Sequence, residues 1–209
     1  MVSATTDYFK QQERFIMSYT LQMNSKAPQF NLKATDGKHY SLSDFSKAKG
    51  LVVFFTCNHC PYVIGSNENT KKLAEKFQDK GIEFVAINSN SSNTYKEDSY
   101  ENMVELMNNK HFPWTYLHDE AQEVARAYGA LKTPHFFFFN EKRELIYTGR
   151  SIDNPRDHAK ATTHELQDAI EAFLKGIEVE KKITNPVGCN VKWDGKPPHW
   201  MPPEACDLV

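Results

Sequence analysis

Leu51-Val52-Val53-Phe54-Phe55-Thr56-Cys57-Asn58-His59-Cys60-Pro61 joins two residue patterns across a pair of cysteines. Residues 51–56 are apolar without alternation, as in a central strand buried on both faces. Pro61 opens a segment of helical character, because proline is well placed in a first helical turn. The spacing therefore puts a C-x-x-C at a strand-to-helix junction, the context in which such a pair reads as redox chemistry.

Working outward, residues 61–80 read as a helix with Leu73, Phe77, Val63 and Ile64 inward and Gly81 as its stop. Residues 82–88 resume as a second buried strand, completing a right-handed βαβ unit with parallel strands. Upstream, residues 29–33 and 38–42 flank an Asp36-Gly37 turn and predict a β-hairpin, with Ser43 and Asp44 capping a short helical turn. Downstream, residues 98–109 read as a helix and 113–117 as a short strand, and Asp119 reads as the N-cap of a helix ending at Gly129. Residues 135–140 and 144–149 form a second hairpin, and an amphipathic helix over 160–175 closes the domain. Ser89 to Asn93 reads as a simple connecting loop. This order predicts an α/β chain: a thioredoxin-type fold with a central mixed sheet flanked by helices, an N-terminal hairpin and an inserted segment. The expected division is an N-terminal extension over 1–23, the domain over 24–175 and an extended C-terminal arm over 176–209 that crosses the surface.

The 209 residues allow one domain with extensions, and 14 Phe with 9 Tyr supply its core. A formal net charge of −2 offers no broad field for nucleic acid or an acidic membrane, so neither partner is expected. The opening segment lacks the apolar run of a signal peptide, which makes the cytoplasm the expected location, and Met17 and Met23 are alternative starts. In a reducing cytosol a close cysteine pair is redox-active or metal-binding rather than a staple. No cofactor is expected, and the oligomeric state is not legible.

A helix N-terminus favours a thiolate, so Cys57 is expected to be the nucleophile and the more enclosed Cys60 to resolve the mixed disulfide. His59 between them either tunes the pair by charge or hydrogen bonding, or is a solvent-exposed histidine without effect. Half of a zinc site is the alternative for the pair, although the short loop disfavours His59 as a ligand and Cys189, Cys206 and His199 are distant. Thr133-Pro134 precedes a strand. An ordinary trans proline is the default there, and a cis bond would leave the preceding backbone free for an extended substrate. Cys189 is a second resolving thiol or a packed free thiol; Cys206 has no assigned role. Trp193 and Trp200 either bind a partner or pack the arm.

Ala27-Pro28-Gln29-Phe30, Phe54 to Tyr62, Ala86 to Asn90, Tyr128-Gly129-Ala130 and Thr133-Pro134 together resemble the redoxin and alkyl-hydroperoxide-reductase group of thioredoxin-like proteins. The likeness covers about residues 24–173 and extends to Val187-Gly188-Cys189-Asn190-Val191-Lys192-Trp193, similar to a closing motif of a bacterial peroxiredoxin-like branch. The resemblance implies that Cys57 and Cys60 are the redox pair, that Pro134 is the cis-proline facing them and that Thr133 and Pro134 bind substrate. Two departures matter. Cys57 stands where peroxiredoxins carry Thr or Ser, with Cys60-Pro61 matching their peroxidatic Cys-Pro, and no arginine lies near Thr133 in the sequence. Strand 51–56 also lacks the buried acid that thioredoxins use as a proton relay. The function expected is thiol-disulfide oxidoreduction, with a protein or small-molecule disulfide and a thiol electron partner. A thiol peroxidase is the second reading and a non-enzymatic metal- or partner-binding module the third.

Overall fold

The computed structural model describes residues 19–208; Met17 and the rest of the first eighteen positions lie outside them, as does the side chain of Cys206. A seven-stranded mixed sheet runs in the order β2-β1-β5-β4-β3-β7-β8. Its centre is β3 (Gly50–Thr56) paired in parallel with β4 (Ile82–Asn88), which pairs in parallel with β5 (Thr115–His118). The hairpin β1 (Asn31–Ala34) and β2 (His39–Ser41) joins antiparallel at β5, and β7 (His135–Phe139) with β8 (Leu145–Gly149) joins antiparallel at β3. This is the expected thioredoxin fold. Its residue pattern explains the burial: alternate side chains of a strand point to opposite faces, and here both faces are covered.

Leu51, Val53, Phe55, Phe137 and Phe139 face one core with α3 (Glu123–Tyr128), while Val52, Phe54, Phe136 and Phe138 face the other with α1 (Pro61–Gln78), α2 (Tyr100–Lys110) and α4 (Glu165–Leu174). The four consecutive phenylalanines of β7 are completely buried, each contributing roughly 2–3 kcal/mol of apolar transfer. Among the described residues no helix is long and apolar enough to cross a membrane.

Several boundaries differ from expectation for identifiable reasons. The second helix starts at Tyr100 because Ser99 is its N-cap, accepting the Asn102 N–H, and Asp98 is left outside it in a 3-10 turn, Lys96–Asp98. Asp119 lies outside α3 yet still accepts the Val124 and Ala125 N–H groups, so it caps from a distance. The last helix, expected from residue 160, starts at Glu165, and Lys160 instead ends a 3-10 turn, His158–Lys160. Ile64 is exposed rather than inward.

The largest difference concerns residues 176–208, which run over the surface in part but are tied into the domain at several points. Thr148 N–H donates to the Lys182 carbonyl and Thr184 N–H to the Thr148 carbonyl, so the arm covers the open edge of β8. Further on, the two-residue strands β6 (Lys132–Thr133) and β9 (Cys189–Asn190) pair antiparallel, and Val191 and Trp193 enter the first core. Trp193 meets Trp200 edge to face at 6.2 Å, so both indoles pack the arm. Ser89 to Asn93 is likewise more than a connector: Ser91 N–H donates to the Lys192 carbonyl, and Ser91 Oγ and Asn93 Nδ2 donate to Asp194.

Candidate active site

Strand β3 ends at Thr56, and α1 begins with Pro61 at its first position, which makes Cys60 the N-cap in extended backbone conformation. This differs from the sequence expectation, which put Cys57 by the helix N-terminus. Cys60, not Cys57, sits at the helix N-terminus, and its thiol is held well below the usual range. The Cys57 thiol hydrogen bond to it is the main cause, opposed by burial and aided by the Cys189 thiol and by the Val63 and Cys189 N–H groups. Cys57 is pushed up by burial first, then by donating to Cys60 and by the nearby Asp98 charge. Of the two, Cys60 is the sulfur whose surroundings lower its pKa and Cys57 the one whose surroundings raise it. Both are closed to solvent, at 1% and 0% exposure.

His59 is neither free nor solvent-directed. Its Nδ1–H donates to Asp98 Oδ2 at 2.8 Å, and its ring stacks on Tyr95 with centroids 4.4 Å apart and planes 3° apart. Its pKa is raised, first by the Asp98 hydrogen bond, against a partial burial cost. Asp98 is fully buried, yet its charge is matched by donors: Asn58 N–H at 2.6 Å and Asn88 Nδ2 at 3.4 Å on Oδ1, His59 and Asn90 Nδ2 at 2.8 Å on Oδ2. Tyr116 donates to Asn58 Oδ1 at 2.9 Å, fixing the loop between the cysteines from β5.

Asp98 is the residue the sequence did not yield. The buried acid missing from β3 comes from the inserted segment instead, beside Cys57. The usable signal was Ser99 as an N-cap, which would have left Asp98 outside the helix and free to turn inward.

Cys57 Sγ, a His59 ring nitrogen and an Asp98 oxygen lie within 4.8 Å of one another, a cluster that includes His59 and leaves Cys60 out. These three could ligate a cation together. All four lone-pair sites of the Asp98 carboxylate already accept hydrogen bonds, so an ion would have to displace at least His59 from it.

The Thr133-Pro134 bond is cis, as the resemblance implied. Thr133 touches both sulfurs: its hydroxyl is 3.4 Å from Cys57 Sγ, and its carbonyl oxygen is 3.4 Å from Cys60 Sγ. The further expectation, that the backbone before Pro134 is open to an extended substrate, is corrected. That edge pairs with the chain's own arm, Thr133 opposite Cys189 and Lys132 opposite Asn190. Cys189 thus packs against the Cys57, Cys60 and Val63 cluster.

The redoxin family model matches residues 22–165. Peroxiredoxin Q of the chloroplast of Gentiana triflora is 28% identical over 154 residues, covering 69% of this chain and 66% of that protein. The chain thus spans between about half and two thirds of the length of the curated relatives it matches. Among solved structures, a hypothetical protein of Sinorhizobium meliloti 1021 is similar at 32% identity, with TM-score 0.80, over 85% of this chain and 97% of that one. A thiol:disulfide interchange protein of Chlorobium tepidum, 18% identical with TM-score 0.58 over 75% of this chain and 98% of that one, shares the fold. With the family model matching most of its length, over the cysteine pair and the cis-proline alike, the chain belongs to the redoxin family.

Proposed function

We propose that the chain is a thiol-disulfide oxidoreductase in which Cys60 is the attacking thiolate and Cys57 the resolving thiol. The observation that carries this is the place of Cys60: it caps the N-terminus of α1, packed with Cys57 in one buried cluster, and its thiol is lowered while that of Cys57 is raised. The Cys60 thiolate attacks one sulfur of a disulfide, forms a mixed disulfide and releases the first thiolate. Cys57 then attacks Cys60, its proton passes to the departing second thiolate, and the Cys57–Cys60 disulfide remains. His59, held by Asp98, keeps a positive charge beside the loop that favours the anionic state of Cys60. The expected substrate is a disulfide in a protein or small molecule, with a thiol as electron partner, in the cytoplasm, where a pair of this kind remains a redox couple.

A thiol peroxidase is the second reading, favoured by one observation: Cys60, the residue that matches a peroxidatic Cys-Pro, is the sulfur at the helix N-terminus. There the Cys60 thiolate takes one peroxide oxygen to become a sulfenate, releasing an alcohol or water. Cys57 then closes the disulfide with loss of water.

The two readings separate in one experiment. Rates of oxidation by hydrogen peroxide and by a model aromatic disulfide are measured for the wild type, Cys57→Ser and Cys60→Ser. The oxidoreductase reading expects fast disulfide exchange that Cys60→Ser abolishes and Cys57→Ser stalls at the mixed disulfide. Fast peroxide consumption with slow disulfide exchange would overturn it in favour of the peroxidase.

A further inference from the structure

The two redox cysteines are closed off, while the third described cysteine, Cys189, is half-buried and reaches solvent. It does not meet them by accident. The β6–β9 register sets Cys189 opposite Thr133, whose carbonyl oxygen lies 3.4 Å from Cys60 Sγ. Gly188 makes that approach possible, since a Cβ there would stand 2.1 Å from the Thr133 oxygen and 2.7 Å from its carbonyl carbon. Just past Cys189 the arm is anchored twice, by Lys132 Nζ donating to Asn190 Oδ1 at 2.9 Å and by Lys192 N–H donating to Asn90 Oδ1 at 2.8 Å. Asn90 in turn holds Asp98, so the strand bearing Cys189 and the loop bearing Cys57 and Cys60 share one hydrogen-bond network.

We propose that Cys189 is the outward-facing member of a three-cysteine relay centred on Cys60, through which the buried pair exchanges its disulfide with an external thiol. The relay rests on the reading of Cys57 and Cys60 as a redox pair. It begins with the Cys57–Cys60 disulfide. The Cys189 thiolate attacks the Cys60 sulfur, the bond to Cys57 breaks, and Cys57 leaves with the electron pair and takes up the proton that Cys189 gave. No electrons are gained or lost in this step. The oxidised bond now includes an accessible sulfur. An external thiolate attacks Cys189, and Cys60 leaves as the thiolate that the Val63 N–H and helix N-terminus stabilise, which makes it the better leaving group. A second external thiolate attacks the mixed disulfide on Cys189, releases the external disulfide and restores the Cys189 thiol. Two thiols are oxidised and one Cys57–Cys60 disulfide is reduced.

The electrostatics give the relay a direction of control. In the reduced chain Cys189 is pushed up to about 11, by burial first and then by the adjacent Cys60 anion, against the pull of Lys192 and Lys132. Once Cys60 is in a disulfide its charge is gone while burial and the two lysines remain, so Cys189 is held up less than in the reduced chain.

The test uses the full chain. Cys57→Ser is oxidised with one equivalent of diamide and its disulfides are mapped by peptide mass spectrometry; a Cys60–Cys189 cross-link is expected as the dominant product. In parallel, wild type and Cys189→Ser, each carrying the mapped Cys57–Cys60 disulfide, are reduced with β-mercaptoethanol, and the variant is expected to react at least tenfold more slowly. Absence of the Cys60–Cys189 link in Cys57→Ser, or reduction of Cys189→Ser at the wild-type rate, overturns the relay. Failure of the wild type to form a Cys57–Cys60 disulfide overturns instead the redox reading beneath it.

Discussion

The carboxylate of Asp98, wholly buried in the inserted segment, holds the imidazole of His59 at 2.8 Å from across the active-site loop. This ion pair links the segment that follows β4 to the residue between the cysteines. It titrates through His59, whose pKa is raised in the folded chain. A raised folded pKa means that the pair's contribution is full below the ordinary histidine pKa and fades as pH rises through the folded value.

Asp98→Asn is expected to return the His59 titration toward its ordinary value and to destabilise the chain by about 3 kcal/mol, since donors in the interior lose a charged acceptor. The His59 imidazole proton in an NMR titration and urea unfolding at pH 6 and pH 9 read both effects. The stability loss is expected to be larger at pH 6. An unchanged His59 midpoint would sink the assignment.

Cys57→Ala tests which sulfur is the thiolate. Thiolate absorbance near 240 nm, followed against pH in a Cys206→Ser background, should show an anion at neutral pH in the reduced parent. That band is expected to vanish in Cys60→Ser. In Cys57→Ala it persists but its midpoint rises by roughly one unit or more, because the main hydrogen bond to Cys60 is removed. A neutral-pH anion surviving in Cys60→Ser would return the role to Cys57.

The two central strands were legible because they are buried on both faces, and an apolar run needs no partner to be recognised: β4 falls on its expected residues and β3 gains only Gly50. The identity of the pair was equally local, whereas spacing alone favoured a trans Pro134 and only the family resemblance implied the cis bond. The sequence reading put Cys57 by the helix N-terminus, although Pro61 at the first helical position already made Cys60 the cap. Asp98 and the pairing of Thr133 with Cys189 were not legible in the same sense. Each joins segments far apart in the chain, and neither the Asn88 to Asp98 tract nor the Pro-rich arm carries a period from which a contact can be read.

Gly188→Ala tests the fit of the arm. All three nearest atoms to the added Cβ are backbone, those of Thr133 and Pro134, so no side chain can swing aside and β9 must lift from β6. A destabilisation of about 1–3 kcal/mol is expected, the usual cost of overpacking. Lifting β9 also exposes Cys189 and Cys60, so alkylation of both by iodoacetamide should accelerate at a fixed pH. Wild-type alkylation rates in a variant of unchanged stability would mean that β9 is not seated against Thr133.

His135 at the start of β7 gives the chain an acid sensitivity unrelated to its redox groups. It is completely enclosed: Nδ1 accepts the Leu131 N–H at 3.3 Å, and Nε2–H donates to Thr148 Oγ1 at 3.2 Å, whose own hydroxyl proton goes to the Phe136 carbonyl. That set of partners fits only the neutral ring, and burial pushes its pKa down to about 3. The unfolded chain binds this proton below about pH 6.5 while the folded chain does not, so stability falls as pH drops between those two values. Between pH 6.5 and pH 4.5 the loss from this residue is about 2 kcal/mol, at 1.36 kcal/mol per pH unit and less near the upper end. His135→Asn keeps an acceptor near Leu131 and cannot titrate. It is expected to be the less stable protein at pH 7, by about 1–3 kcal/mol for the lost contacts. Its deficit should shrink by about 2 kcal/mol as pH falls to 4.5. Urea unfolding of both proteins across that range measures the difference directly; parallel curves would mean that His135 is protonated inside the fold.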